Sequence, residues 1–219
     1  MIPLRDYNPT RRRPLLTWGL IAINVAVYFF LSQNPVMNQE AIQRYALIPA
    51  DIAGGRHLDT LITSMFLHAS LLHVGGNMLF LWIFGNNVED QLGEIKYLAL
   101  YFASGIAGSL LQVYINPSSP IPTLGASGAI SGVLAAYVLY FPAARVLTYI
   151  APIFLVTIRA FVFIGYWILL QAFQAFLNIG VTGGGVAFFA HVGGFAMGFA
   201  LAFLLRPSSR ADPHPGYPV

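Results

Sequence analysis

Cysteine is absent from the chain. Disulfides, thiolate nucleophiles and cysteine-ligated metals are therefore excluded, and cysteine usage says nothing about the redox compartment. Charge is the second scarcity: Asp, Glu, Lys and Arg make up 9% of the residues, whereas a soluble domain devotes roughly a quarter to them. The net charge of +3 comes from few groups and calls for no nucleic-acid partner. What fills the space instead is apolar. Hydrophobic residues account for 57% of 219 positions, and a chain of that length and polarity suits one compact helix bundle in a lipid bilayer.

Charge-free stretches then act as a ruler. They run over 14–39, 60–88, 97–144, 146–158 and 160–205. A helix needs roughly 20 apolar residues to cross a hydrocarbon core about 30 Å thick. The first two stretches hold one span each, the first near Leu15–Leu31. The third is broken by Asn116-Pro117-Ser118-Ser119-Pro120-Ile121-Pro122-Thr123, and the fifth by Asn178-Ile179-Gly180-Val181-Thr182-Gly183-Gly184-Gly185. Neither sequence suits a helix interior, so each stretch splits into a pair of spans. The stretch 146–158 is too short to cross and carries Pro152, which predicts an interfacial or re-entrant segment. The expected fold is an all-α membrane protein, a compact bundle of six transmembrane helices over 14–205. It is flanked by an N-terminal tail over 1–13 and a disordered, proline-rich tail over 206–219.

Orientation follows from the asymmetry of Lys and Arg across the loops. With the N-terminus cytoplasmic, Arg5, Arg11, Arg12, Arg13, Lys96, Arg145, Arg159, Arg206 and Arg210 all fall inside, leaving only Arg44 and Arg56 outside. Both termini are expected in the cytoplasm. Tyr28-Phe29-Phe30 is bulky where signal cleavage needs small side chains, so the first span reads as a retained anchor. The lack of a long targeting extension points to a bacterial inner membrane.

Polar side chains within spans are costly and mark function by default. The second span contains His68, His73 and Asn77; the fourth opens with Gly125-Ala126-Ser127-Gly128; the sixth contains Ala190-His191-Val192-Gly193-Gly194 and then Gly198. His73 and Asn77 are four residues apart and share a helix face. In the expected topology spans two, four and six all enter from the outer side. Ser127 and His191 then lie within roughly 10 Å of the outer ends of their spans at ~1.5 Å rise per residue. A serine hydroxyl needs a base to become a nucleophile, and histidine is the usual one near neutral pH. No Asp or Glu lies in any span, so a Ser–His dyad is what remains. Unpaired N–H groups in the first turn of a helix can stabilise an oxyanion, and His73 and Asn77 offer further donors. Gly194-x-x-x-Gly198 is a face on which membrane helices approach closely.

These residues resemble the rhomboid family of intramembrane serine proteases. The resemblance rests on His68-x4-His73-x3-Asn77, on Gly125-x-Ser127-Gly128 and on Ala190-His191-x-Gly193-Gly194. Leu61-Ile62-Thr63-Ser64-Met65-Phe66-Leu67-His68 and Phe84-Gly85-Asn86-Asn87-Val88-Glu89-Asp90-x-Leu92-Gly93 add to it, in order, over roughly 60–205. It implies that Ser127 is the nucleophile and His191 the general base and acid. His73, Asn77 and the Ser127 N–H would bind the oxyanion, supported by His68, Gly125, Gly128, Gly194 and Gly198. The substrates would be transmembrane segments of other proteins, with no cofactor or metal, and a gate formed by span five and the outer loop 180–185. Two positions depart from the family pattern. Asp59-Thr60 stands where a Trp-Arg pair is common, and Ser131 stands where an aromatic residue usually packs on the catalytic histidine.

Plainer readings stand beside these. A serine among glycines can serve packing alone, and His68 is read as a structural or water-organising residue. Gln112, Gln171 and Gln174 read as packing or cavity-lining residues, and Phe161, Phe163, Tyr166 and Trp167 as lipid-facing or gate residues. The competing functions are a catalytically inactive rhomboid-like protein that binds or remodels membrane clients, and a small His-lined channel or transporter. The sequence leaves the oligomeric state open.

Overall fold

The computed structural model describes residues 1–179 and 185–206. In chain order it contains strand β1 (Ile2–Asp6) and helices α1 (Leu15–Ser32), α2 (Pro35–Tyr45), α3 (Pro49–Ala53) and α4 (Thr60–Thr63). A 3-10 turn, Ser64–Phe66, leads to α5 (Leu71–Phe80), a π-helical turn (Leu81–Gly85) and α6 (Asn86–Leu92). Then come α7 (Glu94–Ile115), α8 (Ser127–Tyr140), strands β2 (Arg145–Ile150) and β3 (Phe154–Arg159), α9 (Ala160–Leu177) and α10 (Phe188–Leu204). The chain is mostly helical. Among the described residues α1, α7 and α9 are long and apolar enough to cross a membrane, and α8 and α10 are shorter apolar helices.

The stretch expected as one straight second span is a bent pair, with Thr60–Phe66 and Leu71–Leu92 meeting at 97°. Ser70 causes the restart: its side chain accepts the N–H of His73 and caps α5. The tail after Arg206, expected to be disordered, lies outside the described residues, as does the expected gate loop apart from Gly185.

α8 is the axis of the bundle. Every residue from Gly128 to Tyr137 is buried, the mark of a helix enclosed by protein on all sides. Tyr97 and Tyr101 of α7 are fully buried. Phe84 meets Tyr137 edge-on at 4.9 Å and stacks on Phe163 of α9 at 6.0 Å between centroids. α10 lies directly against α7 and α8. A Cβ at Gly194 would meet the backbone of Gly128, one at Gly198 the backbone of Gly132, and one at Gly108 the carbonyl of Ala190. Such backbone contact is possible only with residues lacking a side chain.

The all-helical expectation needs one correction. The stretch 146–158, expected to be interfacial or re-entrant, lies in a β-hairpin of β2 and β3, and the N-terminal β1 adds to it in the order β1-β2-β3, all antiparallel. Val146 and Thr148 alternate inward, buried, in the period-two pattern of a half-covered strand. The sheet is tied to the end of α8, where the Tyr137 hydroxyl donates to Asp6 Oδ2 at 2.8 Å. Burial pushes the Asp6 carboxyl up to about 6 despite that hydrogen bond.

Two acidic residues of α6 fasten the start of α1. Buried Glu89 accepts from the N–H of Leu16 (3.0 Å), the N–H of Thr17 (2.8 Å) and the Thr17 hydroxyl (2.7 Å). Asp90 accepts from the N–H groups of Arg11 and Arg12. A carboxylate at a helix N-terminus satisfies orphan donors and complements the macrodipole. The connection between α1 and the bent pair has its own anchors. Asp59 pairs with Arg44 of α2 at 2.9 Å, the Thr63 hydroxyl donates to the Tyr45 carbonyl, and Leu47 bridges Thr123.

Candidate active site

Ser127 is the first residue of α8, and the first intrahelical bond visible beyond the cap runs from the Ile130 N–H to the Ala126 carbonyl. The N–H groups of the opening turn have no acceptor within the helix. The backbone reaches this point through Gly125, whose φ of +121° belongs to the left-handed region. A Cβ there would also lie 2.7 Å from His73 Nε2, so conformation and space both require glycine. The Gly125 N–H donates to the Ser64 carbonyl at 2.9 Å, tying the turn to the 3-10 segment.

Opposite Ser127 stands His191, in the first turn of α10 and buried. The Ser127 hydroxyl and His191 Nε2 are 2.7 Å apart. The other ring nitrogen, Nδ1, is 2.8 Å from Oε1 of Gln171 on α9. A neutral imidazole carries one N–H, and an acceptor at Nδ1 places it there. Nε2 then offers its lone pair to the serine hydroxyl. The glycine contacts between α10 and α8 hold the two helices close enough for this bond.

His73 and Asn77 project from one face of α5 toward the turn before Ser127. A Cβ at Gly125 would lie 2.7 Å from His73 Nε2 and 3.6 Å from Asn77 Nδ2. His73 Nδ1 accepts the Ala69 N–H at 3.4 Å, which leaves Nε2 as the N–H side of the neutral ring. The Asn77 amide nitrogen is buried with no hydrogen-bond partner among the described residues. Two donor-bearing side chains thus lie against Gly125, two residues before Ser127.

His68 is not on a helix. It lies in the bend before α5, edge-on to His73 at 5.0 Å between centroids, and both its nitrogens lack partners among the described residues. It borders a cavity of about 170 Å³ lined also by Tyr28, Leu31 and Asn38, a recess of mixed polar and apolar lining and of a size that holds water. Of the predicted supporting glycines, Gly125, Gly194 and Gly198 stand at obligatory close approaches. A Cβ at Gly128 would meet the Ala190 carbonyl oxygen at 3.4 Å, an ordinary contact.

The surroundings of His191 come from α9 and α10 as well as from α8. Ser131 turns away from it, its hydroxyl donating to the Ser127 carbonyl at 2.6 Å. The ring is flanked by Trp167 at 5.8 Å and Phe188 at 6.5 Å between centroids. Trp167 therefore faces the histidine, and Gln171 bonds to it. Phe163 is buried in the core, whereas Phe161 and Tyr166 are about half exposed. One signal for Gln171 was present: Trp167 and Gln171 are four residues apart, on one face of a helix whose other amide side chain is Gln174.

The family model of the Rhomboid domain matches residues 55–208. Rhomboid protein 1, mitochondrial, of Saccharomyces cerevisiae is 35% identical over 203 residues, 90% of this chain and 55% of its own length. The rhomboid protease GluP of Bacillus subtilis is 33% identical over 125 residues, 57% of this chain and 24% of its own. The human presenilin-associated rhomboid-like protein, mitochondrial, is 32% identical over 142 residues, 64% of this chain and 36% of its own. The chain thus spans about half, or less, of the length of these relatives. The mitochondrial names do not fit the expected bacterial inner membrane, whereas multi-pass membrane insertion agrees with the apolar helices. With a family match that covers most of its length, the chain belongs to the rhomboid family.

Proposed function

We propose that the chain is an intramembrane serine endopeptidase that cleaves peptide bonds in or near transmembrane segments of other membrane proteins. The observation that carries this reading is the 2.7 Å contact between Ser127 Oγ and His191 Nε2. In this reading α1, the bent pair, α7, α8, α9 and α10 are six crossings, and both termini lie on the side enriched in Lys and Arg.

In this reading the reaction draws on Ser127, His191, His73 and Asn77. Ser127 Oγ attacks the carbonyl carbon of the scissile bond while its proton passes to His191 Nε2. The carbonyl oxygen becomes an oxyanion that accepts from His73 Nε2–H, Asn77 Nδ2–H and the Ser127 backbone N–H. Collapse of the tetrahedral species breaks the C–N bond, and His191 returns the proton to the departing amine. Water then attacks the acyl-serine, His191 takes its proton, and a second collapse restores Ser127 and releases the carboxylate product.

The test is cleavage of a model transmembrane substrate in liposomes by the wild type, Ser127→Ala and His191→Ala, with fluorophosphonate labelling alongside. Cleavage and labelling by the wild type, both lost in Ser127→Ala and cleavage lost in folded His191→Ala, is the expected result. A folded wild type that neither cleaves nor labels overturns the proposal in favour of an inactive, client-binding protein.

A further inference from the structure

We infer that Gln171 is the positioning residue of His191, fixing the tautomer that makes Nε2 a base; the catalytic consequence rests on the Ser–His reading above. Among the described residues the His191 ring makes two side-chain hydrogen bonds, to Ser127 at Nε2 and to Gln171 at Nδ1. Among the described residues no carboxylate hydrogen-bonds to it, and the Ser131 hydroxyl is committed to its own helix.

A ring with no acceptor at Nδ1 can carry its proton at Nε2 instead. It would then donate to Ser127 Oγ and could not take the serine proton. The Gln171 oxygen at 2.8 Å disfavours that form. It also accepts the Nδ1–H of the imidazolium that forms during attack, a role elsewhere filled by a carboxylate. Trp167, one turn before Gln171 on α9, lies against the same ring. Placement of the base is therefore divided between two neighbours. α8 meets it through the serine, and α9 through an amide and an indole.

The experiment compares wild type, Gln171→Leu, Gln171→Met and Gln171→Glu in the full-length protein reconstituted in liposomes. The His191 tautomer is read by solid-state 15N NMR of histidine-labelled protein, assigned with His191→Asn. The wild type is expected to hold the proton on Nδ1. Gln171→Leu and Gln171→Met should shift population toward the Nε2–H form and lower kcat on the order of 10²-fold with KM little changed, within the range a general base supplies. Gln171→Glu keeps an acceptor, so it should restore the Nδ1–H form and most of kcat while moving the acidic limb of the pH–rate profile upward. An unchanged tautomer and kcat in whichever of the apolar variants folds overturns the inference. A tautomer shift in a protein whose wild type cleaves nothing sustains the positioning role and refutes the protease reading instead.

Discussion

Replacing Gly194 by alanine adds one carbon at the point where α10 lies on α8. That carbon would meet the Gly128 carbonyl oxygen, with the carbonyl carbon at 2.8 Å and Cα at 3.2 Å. Non-bonded carbons settle at about 3.5–4.0 Å, and backbone has no rotamer through which to yield, so the helices must part by about 1 Å. Gly128 follows Ser127 directly, and Gly194 lies one turn beyond His191. Much of that separation therefore reaches the 2.7 Å dyad bond, stretching it to about 3.7 Å and out of hydrogen-bond range. A misplacement of about 1 Å costs on the order of 10²-fold in rate, and overpacking costs about 1–3 kcal/mol in stability. Gly128→Ala is the internal control. It sits at the same crossing, yet its added carbon meets its nearest neighbour at 3.4 Å, and it should keep most of the activity. The assay is the rate of fluorophosphonate labelling of Ser127 beside thermal unfolding. Wild-type labelling and stability in Gly194→Ala, or equal losses in the two variants, would refute the idea that backbone contact sets the dyad distance.

Two further outcomes follow from groups outside the dyad. Glu89→Gln should lower stability by about 2 kcal/mol, since hydrogen bonds to a buried charged acceptor contribute about 1.5–3 kcal/mol each and the amide retains part of them; chemical denaturation in detergent reads this, and an unchanged midpoint would show the cap to be idle. Asp6 has its folded pKa raised to about 6 from 3.8 by burial. Its contribution is therefore fully present below about pH 4 and lost as pH rises through 6, an effect of about 2–3 kcal/mol at 1.36 kcal/mol per unit. Asp6→Asn should flatten the stability-versus-pH curve between pH 4 and 7, and a curve of unchanged slope there would count against the burial of this carboxyl.

Much of the helical frame was readable because lipid and water impose opposite compositions. The first span near Leu15–Leu31, the charged residues that end each apolar run and the breaks at 116–123 and 178–185 bound α1, α7, α8, α9 and α10 to within a few residues. The pairing of Ser127 with His191 was readable because one opens α8 and the other stands in the first turn of α10. The bend at His68 was hidden, since the apolar run from Thr60 to Val88 continues through it and only the Ser70 cap interrupts the helix. The sheet was hidden for a different reason. Arg145–Ile150 pairs with Ile2–Asp6 across most of the chain, and a strand partner so distant leaves no local pattern. Gln171 was visible as a polar residue in an apolar helix, but its partner could be found only once α9 and α10 were packed together.

The brevity of α8 has a consequence for water. Fourteen residues at ~1.5 Å each make a rod of about 21 Å, in a slab whose hydrocarbon is about 30 Å thick. In the proposed topology, with the Tyr140 end level with the surface that Arg145 marks, the Ser127 end stops about 9 Å below the opposite one. Lipid tails suit that shortfall poorly, because the opening turn of α8 carries N–H groups with no acceptor within the helix. On the proposed reading, the missing turns of helix leave room for a well some three water molecules deep, dug by leaving out protein. Its floor is where the proposed hydrolysis would need its water.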